Sequence, residues 1–178
     1  GILREPLDTL KRSDIFVLTK TDATGEGLSS LKSFLSKVQP GALIAEAIHR
    51  PVYFQNISRS GVHTNLNYIK DQAVCAVSAI GDPKSFENSL SAFVSGIKKH
   101  FIFLDHHDYA ENEVKAIADF CRQNGLKTIV TTQKDAVKLQ RFLNLLGGDV
   151  ALFSLKIKME ITKGKDEFFH RISLIFNR

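Results

Sequence analysis

The densest titratable chemistry in the chain is Leu104–Val114, LDHHDYAENEV, where Asp105, His106, His107 and Asp108 follow one another without a break. An imidazole titrates near neutral pH and can accept a proton from a hydroxyl, and a neighbouring carboxylate can orient it. Two further segments carry chemistry-bearing residues. Ala79–Pro83, AIGDP, contains Gly81, which permits a sharp turn or a close backbone approach to a ligand. Thr131–Lys138, TTQKDAVK, sets Thr132, Lys134 and Asp135 at a helix start, where free N–H groups and the helix dipole favour an anion. Each has a plainer role beside the chemical one. Asp82-Pro83 reads first as a helix start, Thr132 serves equally as an N-cap, and Lys134-Asp135 as a solvated first turn. The paired histidines behind an aspartate are the hardest to read as an ordinary loop. His49, His63, His100 and His170 stand alone and read as structural or surface residues.

The elements around these segments alternate. DIFVLTK is an apolar, β-branched strand, and LSSLKSFLSKV places Leu28, Leu31, Phe34, Leu35 and Val38 on one helical face. LIAEAIHRPVYFQNI reads as a strand, a break at Pro51 and a second short strand. Ser58–Asp71 is polar and carries no periodicity. From Gln72 the pattern sharpens: AVCAVSAIG is a strand, and DPKSFENSLSAFVSG a helix with Asp82 as N-cap. HFIFL is a strand, and YAENEVKAIADFCRQNG a helix with Asp108 as N-cap and Glu111 three residues on. KTIVT is a strand, QKDAVKLQRFLNLLGG one helix, and VALFSLKIKMEI a final strand whose alternation predicts an edge. This alternation with short connections predicts an α/β fold, an open and mostly parallel sheet flanked by helices. In such a sheet ligands bind outside the carboxyl ends of the strands. AIGDP, LDHHDY and TTQKDAVK each leave a strand end and open a helix, so parallel strands place all three on one edge.

Composition narrows the class. The chain has 178 residues, 43% hydrophobic and 24% charged, with a formal net charge of +5. These values describe an ordinary globular protein with one domain or one domain and an appendage. No run of 18 apolar residues spans a membrane, and no signal peptide is visible. Cys75 and Cys121 sit apart in apolar contexts and read as reduced core thiols, with no CxxC or Cys/His metal spacing. The positive balance favours anionic partners such as phosphates or acidic lipid. The basic residues are scattered without aromatic interleaving, so no nucleic-acid partner is expected.

Four pieces in order resemble one family, the tetraacyldisaccharide 4′-kinases, which phosphorylate the lipid A precursor. They are GILREPLDTLKRSDIFVLTK at Gly1–Lys20, AVSAIGDPKSF at Ala76–Phe86, FLDHHDY at Phe103–Tyr109 and IVTTQKDAVKL at Ile129–Leu139. The resemblance runs to about residue 155. It departs from the family at Ser78-Ala79, where Ala-Gly is usual, and at Gln133, where Glu is common. It implies a P-loop NTPase-like fold with two α/β lobes. On that resemblance residues 1–71 are the end of the nucleotide-binding lobe with a linker, and 72–178 the C-terminal lobe. It implies transfer of the γ-phosphate of Mg-ATP to the 4′-hydroxyl of an acylated disaccharide 1-phosphate. It assigns the base to His106, oriented by Asp105 or by a carboxylate of the other lobe, with His107 as second candidate. Arg4 and Glu5 would lie near the lobe junction, and Gly81, Thr132, Lys134 and Asp135 would line the cleft. The P-loop, G-x-x-x-x-G-K-[ST], occurs nowhere in the chain. The chain is therefore expected to be the C-terminal part of such a kinase and inactive alone. ATP and magnesium would be held mainly upstream, with no metal site here. The whole would work as a monomer at the anionic cytoplasmic face of the inner membrane.

Two other readings compete. A strand followed by D-H-H is also the signature of DHH phosphoesterases, which use two metal ions but need Asp-rich segments that this chain lacks. Thr19–Asp22, TKTD, resembles the guanine-reading N-K-x-D of GTPases with threonine for asparagine, which suits a non-catalytic binding module.

Overall fold

The structure, a computed structural model, describes residues 4–22, 25, 27–59 and 61–176. Gly1–Leu3 of the first matching piece lie outside the described residues. The chain forms two compact units, residues 1–50 with 158–178, and residues 51–157. The boundary expected at 71/72 falls inside the second unit.

In the first unit, β1 (Ile15–Leu18) runs parallel to the start of β2 (Leu43–Asn56), with the amphipathic α1 (Gly27–Val38) between them in sequence. The end of β7 (Ala151–Lys163) returns here beside β2. Arg50 pairs with Glu160 while Thr162 and Lys163 reach Glu46, so β2 and β7 run in opposite directions. A helix that the sequence pattern did not disclose, α6 (Lys165–Phe176), follows. Two expectations are corrected. The break at Pro51 is absent: β2 is continuous, and Pro51 falls between the β1 ladder, which ends at Glu46, and the β3 (Val62–Thr64) ladder, which begins at Phe54. A proline is tolerated in a strand where no neighbour needs its N–H. Nor is β7 an edge, since it lies between β2 and β6 (Thr128–Thr132). Its alternation reports an exposed face, and an exposed face is not an open side.

The second unit carries the chemistry. Its parallel strands stand in the order β7-β6-β4-β5, with β4 at Ala73–Ser78 and β5 at Gly96–Ile102. From β4 the chain steps outward to β5, then back across β4 to β6. Right-handed crossovers in opposite directions put their helices on opposite faces. The core shows this residue by residue. Val74 and Ala76 pack with Phe86 and Leu90 of α2 (Pro83–Ser91), whereas Cys75 and Val77 pack with Val114, Ile117 and Cys121 of α3 (Glu111–Gln123). Alternate residues of one strand thus serve two cores, which explains why AVCAV is apolar throughout. After β6 the expected single helix is divided into α4 (Gln133–Leu139), a 3-10 turn at Gln140–Phe142 and α5 (Leu143–Leu146). Gly147, at φ +74°, ends α5 in the left-handed conformation.

Candidate active site

Loops leaving the carboxyl ends of β4, β5 and β6 meet at one edge of the second unit, as parallel strands require. The switch point lies between β4 and β6, whose onward connections depart in opposite directions, and such points are where open α/β sheets hold ligands. Phe103 N–H donates to the Ser78 carbonyl at 2.9 Å and ties the β5 loop to the end of β4.

Asp135 fastens the other side. It is fully buried, so the solvated first turn is corrected for this residue. Its Oδ2 accepts from Ala79 N–H at 3.0 Å and from the Thr132 hydroxyl at 2.7 Å. Thr132 in turn caps α4 by accepting from Asp135 N–H at 3.1 Å. These bonds offset part of the cost of burying a carboxyl group. Its Oδ1 has no hydrogen-bond partner, and neither does the buried Tyr109 hydroxyl. Burial, and then the nearby Asp135 charge, push the Tyr109 phenol well above its ordinary range. Asp82 caps α2 through Ser85 N–H at 3.0 Å, with Pro83 behind it.

The two adjacent histidines have opposite surroundings. His107 is stacked on Phe103 with centroids 4.8 Å apart, and its Nε2 lies 2.8 Å from Glu113 Oε2. Glu113 Oε2 also accepts from Ala110 N–H at 2.8 Å, and that bond, then His107, holds its carboxyl below the ordinary range. The sequence-predicted cap of α3 is corrected accordingly: the cap position is Ala110, satisfied by Glu113, while Asp108 bonds Arg141 at 2.8 Å. His106 is the reverse. Its side chain is 79% exposed, against 28% for His107, and its backbone sits at φ +66°. Left-handed backbone is uncommon outside glycine and turns a side chain out of the chain's normal course. Asp105 Oδ1 accepts from His106 N–H at 3.0 Å and from Lys134 Nζ at 2.7 Å. The lysine, first among several causes, holds the Asp105 carboxyl below its ordinary range. Asp105 Oδ2 stands 3.8 Å from His106 Nε2, close enough for charge to be felt and too far for a hydrogen bond.

Gly81 comes to this edge too. Among the described residues a Cβ there meets only Asp105 Oδ2, at 3.8 Å, an ordinary contact that leaves room for a methyl group. Arg4 and Glu5 belong to the first unit, where both are exposed and Glu5 bonds Arg12 at 2.6 Å. In that unit Thr21, within TKTD, bonds the Ala47 carbonyl through its N–H at 3.3 Å.

Sequence reading missed Glu113, Lys138 and Arg141. The signal was present: Lys134, Lys138 and Arg141 stand at i, i+4 and i+7, one helical stripe, and all three grip the DHHDY loop. It also missed that His100 is far from isolated. The ring bridges Ser78 Oγ at 2.8 Å and Glu87 Oε2 at 3.3 Å beneath the site.

The acids and imidazoles of the cluster are engaged with one another and with cations. Asp105 is committed to Lys134, His107 turns away to Glu113, and among the described residues no group of three His, Cys, Asp or Glu is disposed to hold an ion. What it offers is an exposed imidazole beside an anionic carboxylate and a lysine, the parts needed to accept a proton next to a negatively charged reactant.

Comparison with known proteins converges on one family. The profile of LpxK, tetraacyldisaccharide-1-P 4'-kinase, matches residues 1–175. A tetraacyldisaccharide 4'-kinase of Halothermothrix orenii is 31% identical over 90% of this chain and 45% of its own length. That of Elusimicrobium minutum is 34% identical over 94% of this chain and 43% of its own. A solved structure of LpxK from Aquifex aeolicus in complex with ATP superposes with a TM-score of 0.55 at 25% identity, covering 96% of this chain and 46% of that one. The chain thus spans about half the length of the relatives it matches.

Proposed function

We propose, for a chain that belongs to the tetraacyldisaccharide-1-P 4′-kinase family, that it supplies the acceptor-activating part of a kinase. That kinase moves the γ-phosphate of ATP to the 4′-hydroxyl of an acylated disaccharide 1-phosphate. The supporting observation is the presentation of His106: an exposed ring on a left-handed residue, beside Asp105 and Lys134. Phosphoryl transfer asks little covalent chemistry of the protein. It needs a positioned hydroxyl, a proton acceptor within reach and compensation of phosphate charge. His106 takes the hydroxyl proton. Asp105 stabilises the resulting imidazolium. Lys134 keeps Asp105 ionised and adds positive charge at the edge. His107 anchors the loop. Gly81 and Thr132 line the approach.

The triphosphate would be gripped by residues outside these 178, since no Walker A pattern occurs among them. Magnesium would be bound there too. The acids here do not fit it, because Asp105, Glu113 and Asp135 are each committed to other donors. Among the described residues no helix is long and apolar enough to cross a membrane. Net charge of +5 suits peripheral contact with an anionic lipid surface, on the cytoplasmic face where ATP is available, as a monomer without nucleic acid.

The test is a chimera in which these residues replace the matching stretch of the Halothermothrix orenii relative. It is expected to transfer labelled γ-phosphate to the disaccharide lipid, and the 178-residue chain alone is expected to transfer none. A folded, ATP-binding chimera without transfer would overturn the reading. Turnover by the chain alone would overturn the placement of the phosphate grip.

A further inference from the structure

We infer that Lys138 is a positioning residue for His106, and that it acts by holding the left-handed turn on which that ring stands. The inference rests on the reading of His106 as the proton acceptor. Lys138 Nζ donates to the His106 carbonyl at 2.9 Å and to the His107 carbonyl at 2.6 Å. One ammonium group thus holds two successive carbonyls, those of the two peptides that flank the His107 Cα. His106 N–H is held by Asp105, and His107 N–H closes the turn onto the Leu104 carbonyl at 3.0 Å. The N–H and carbonyl groups of both His106 and His107 are therefore held, while the His106 side chain stays 79% exposed.

A left-handed histidine relaxes toward right-handed or extended backbone unless its surroundings over-determine it. Here the surroundings are almost entirely α4 and the residues after it. Lys134 takes Asp105, Lys138 takes the two carbonyls, and Arg141 takes the Asp108 carboxylate at 2.8 Å and the Tyr109 carbonyl at 2.9 Å. Lys134 grips the Asp105 side chain, and Arg141 the Asp108 side chain and the Tyr109 carbonyl, at the two ends of the loop. Lys138 alone among them grips the backbone of His106 itself. Asp135, on the same helix, is bound to Ala79 N–H, so α4 also carries the register of β4. Lys138 therefore sets where the imidazole stands relative to the AIGDP loop. A displacement of about 1 Å in a reacting group is enough to cost roughly 100-fold in rate.

The test has two arms, which separate failure of this inference from failure of the kinase reading. On the isotope-labelled 178-residue chain, residual dipolar couplings and Cα shifts report the φ of His106 without any activity. Positive φ is expected in the unmodified chain and is expected to be lost in Lys138→Met. Lys138→Gln, which keeps an NH₂ donor group on a shorter, uncharged side chain, should retain it in part, and it carries the test if the methionine variant does not fold. In the chimera, Lys138→Met is expected to lower kcat by about 10- to 100-fold, with KM for ATP unchanged. In a His106→Ala background the same change should add less than about twofold, because its effect passes through the missing ring. Unchanged φ and unchanged kcat in Lys138→Met would overturn the inference. A loss of equal size with and without His106 would also overturn it, by showing that Lys138 acts on its own. An inactive chimera would remove the kinase reading and leave the φ measurement to decide whether Lys138 holds the turn.

Discussion

The parallel strands of the second unit have two ends, and the ends differ in kind. The amino-terminal end holds a cleft of about 570 Å³ bordered by Arg59, Gln72, Asn124, Thr128 and Asp149. Several of its polar groups are already hydrogen-bonded. Thr128 donates to Gln72 at 2.7 Å, Asn124 to the Phe120 carbonyl at 2.9 Å, and Arg122 reaches Asp149 at 3.1 Å. The carboxyl-terminal end holds an exposed imidazole on strained backbone and a buried carboxylate with a spare oxygen. The difference teaches that space alone does not mark a site. Strain and unspent hydrogen-bonding capacity cost stability, and they persist where something other than stability is served.

The sharpest way to break this contrast is to delete one group at each end of the chimeric kinase. His106→Ala is expected to lower kcat by about 10²–10⁴-fold, the usual contribution of a positioned general base. Arg59→Ala, at the opposite end, should leave kcat within about twofold. Steady-state phosphate transfer measures both. A large loss from Arg59→Ala with little from His106→Ala would reverse the assignment of the two ends.

The next effect is on folding. Asp135→Ala strands Ala79 N–H and the Thr132 hydroxyl in the interior, and is expected to cost about 2 kcal/mol in denaturant unfolding of the chain. Asp135→Asn separates the charge from the geometry. Its amide oxygen can still accept from Ala79 and Thr132, and its NH₂ can donate to the Tyr109 oxygen that now lacks a partner. It should therefore be nearly neutral for stability. If it is as damaging as alanine, the negative charge itself is needed at that edge.

Much of this edge was legible beforehand, and the reasons are local. Asp82-Pro83 and Thr132 cap helices through bonds spanning three residues, so the sequence within one turn contains the whole interaction. The parallel direction of β4, β5 and β6 follows from alternation and short connections. What escaped depends on partners far along the chain. Lys138 reaches carbonyls 31 and 32 residues away, and a lysine on an amphipathic helix looks solvated until its target is placed. Asp135 looked like surface for the same reason, its partner Ala79 being 56 residues distant. The long β2 and β7 were misjudged because Pro51 and an alternating tail describe one face of a strand, whereas edge or centre is decided by which strand arrives alongside.

A smaller effect tests the division of labour between the histidines. The folded chain holds the Glu113 carboxyl below its ordinary value of 4.5. A carboxylate lowered by folding contributes stability that is present above its unfolded pKa and is lost as pH falls through the folded one. Unmodified chain should therefore lose the Ala110–Glu113–His107 clamp progressively below about pH 4.5. Glu113→Gln should be less stable at neutral pH by about 1 kcal/mol, and its deficit should shrink toward acid. Thermal melts across that range measure it. A deficit that does not change with pH would mean that shape, and not charge, holds His107.

The smallest expected effect on the fold is Gly81→Ala, and it is the one that speaks most directly to what enters the site. A methyl group there would lie in ordinary contact with Asp105 Oδ2 at 3.8 Å, and Gly81 does not occupy the left-handed region. Alanine also reduces the freedom of the unfolded chain, so stability should be unchanged or rise by about 0.5 kcal/mol. If the glycine serves only the turn, phosphate transfer by the chimera will likewise be unchanged. If a ligand's phosphate or sugar passes close to the backbone at this point, the methyl group will raise the acceptor KM while the melting temperature holds. The two readouts move together for a structural glycine and separate for one that faces a substrate, so the pair of measurements decides which of the two Gly81 is.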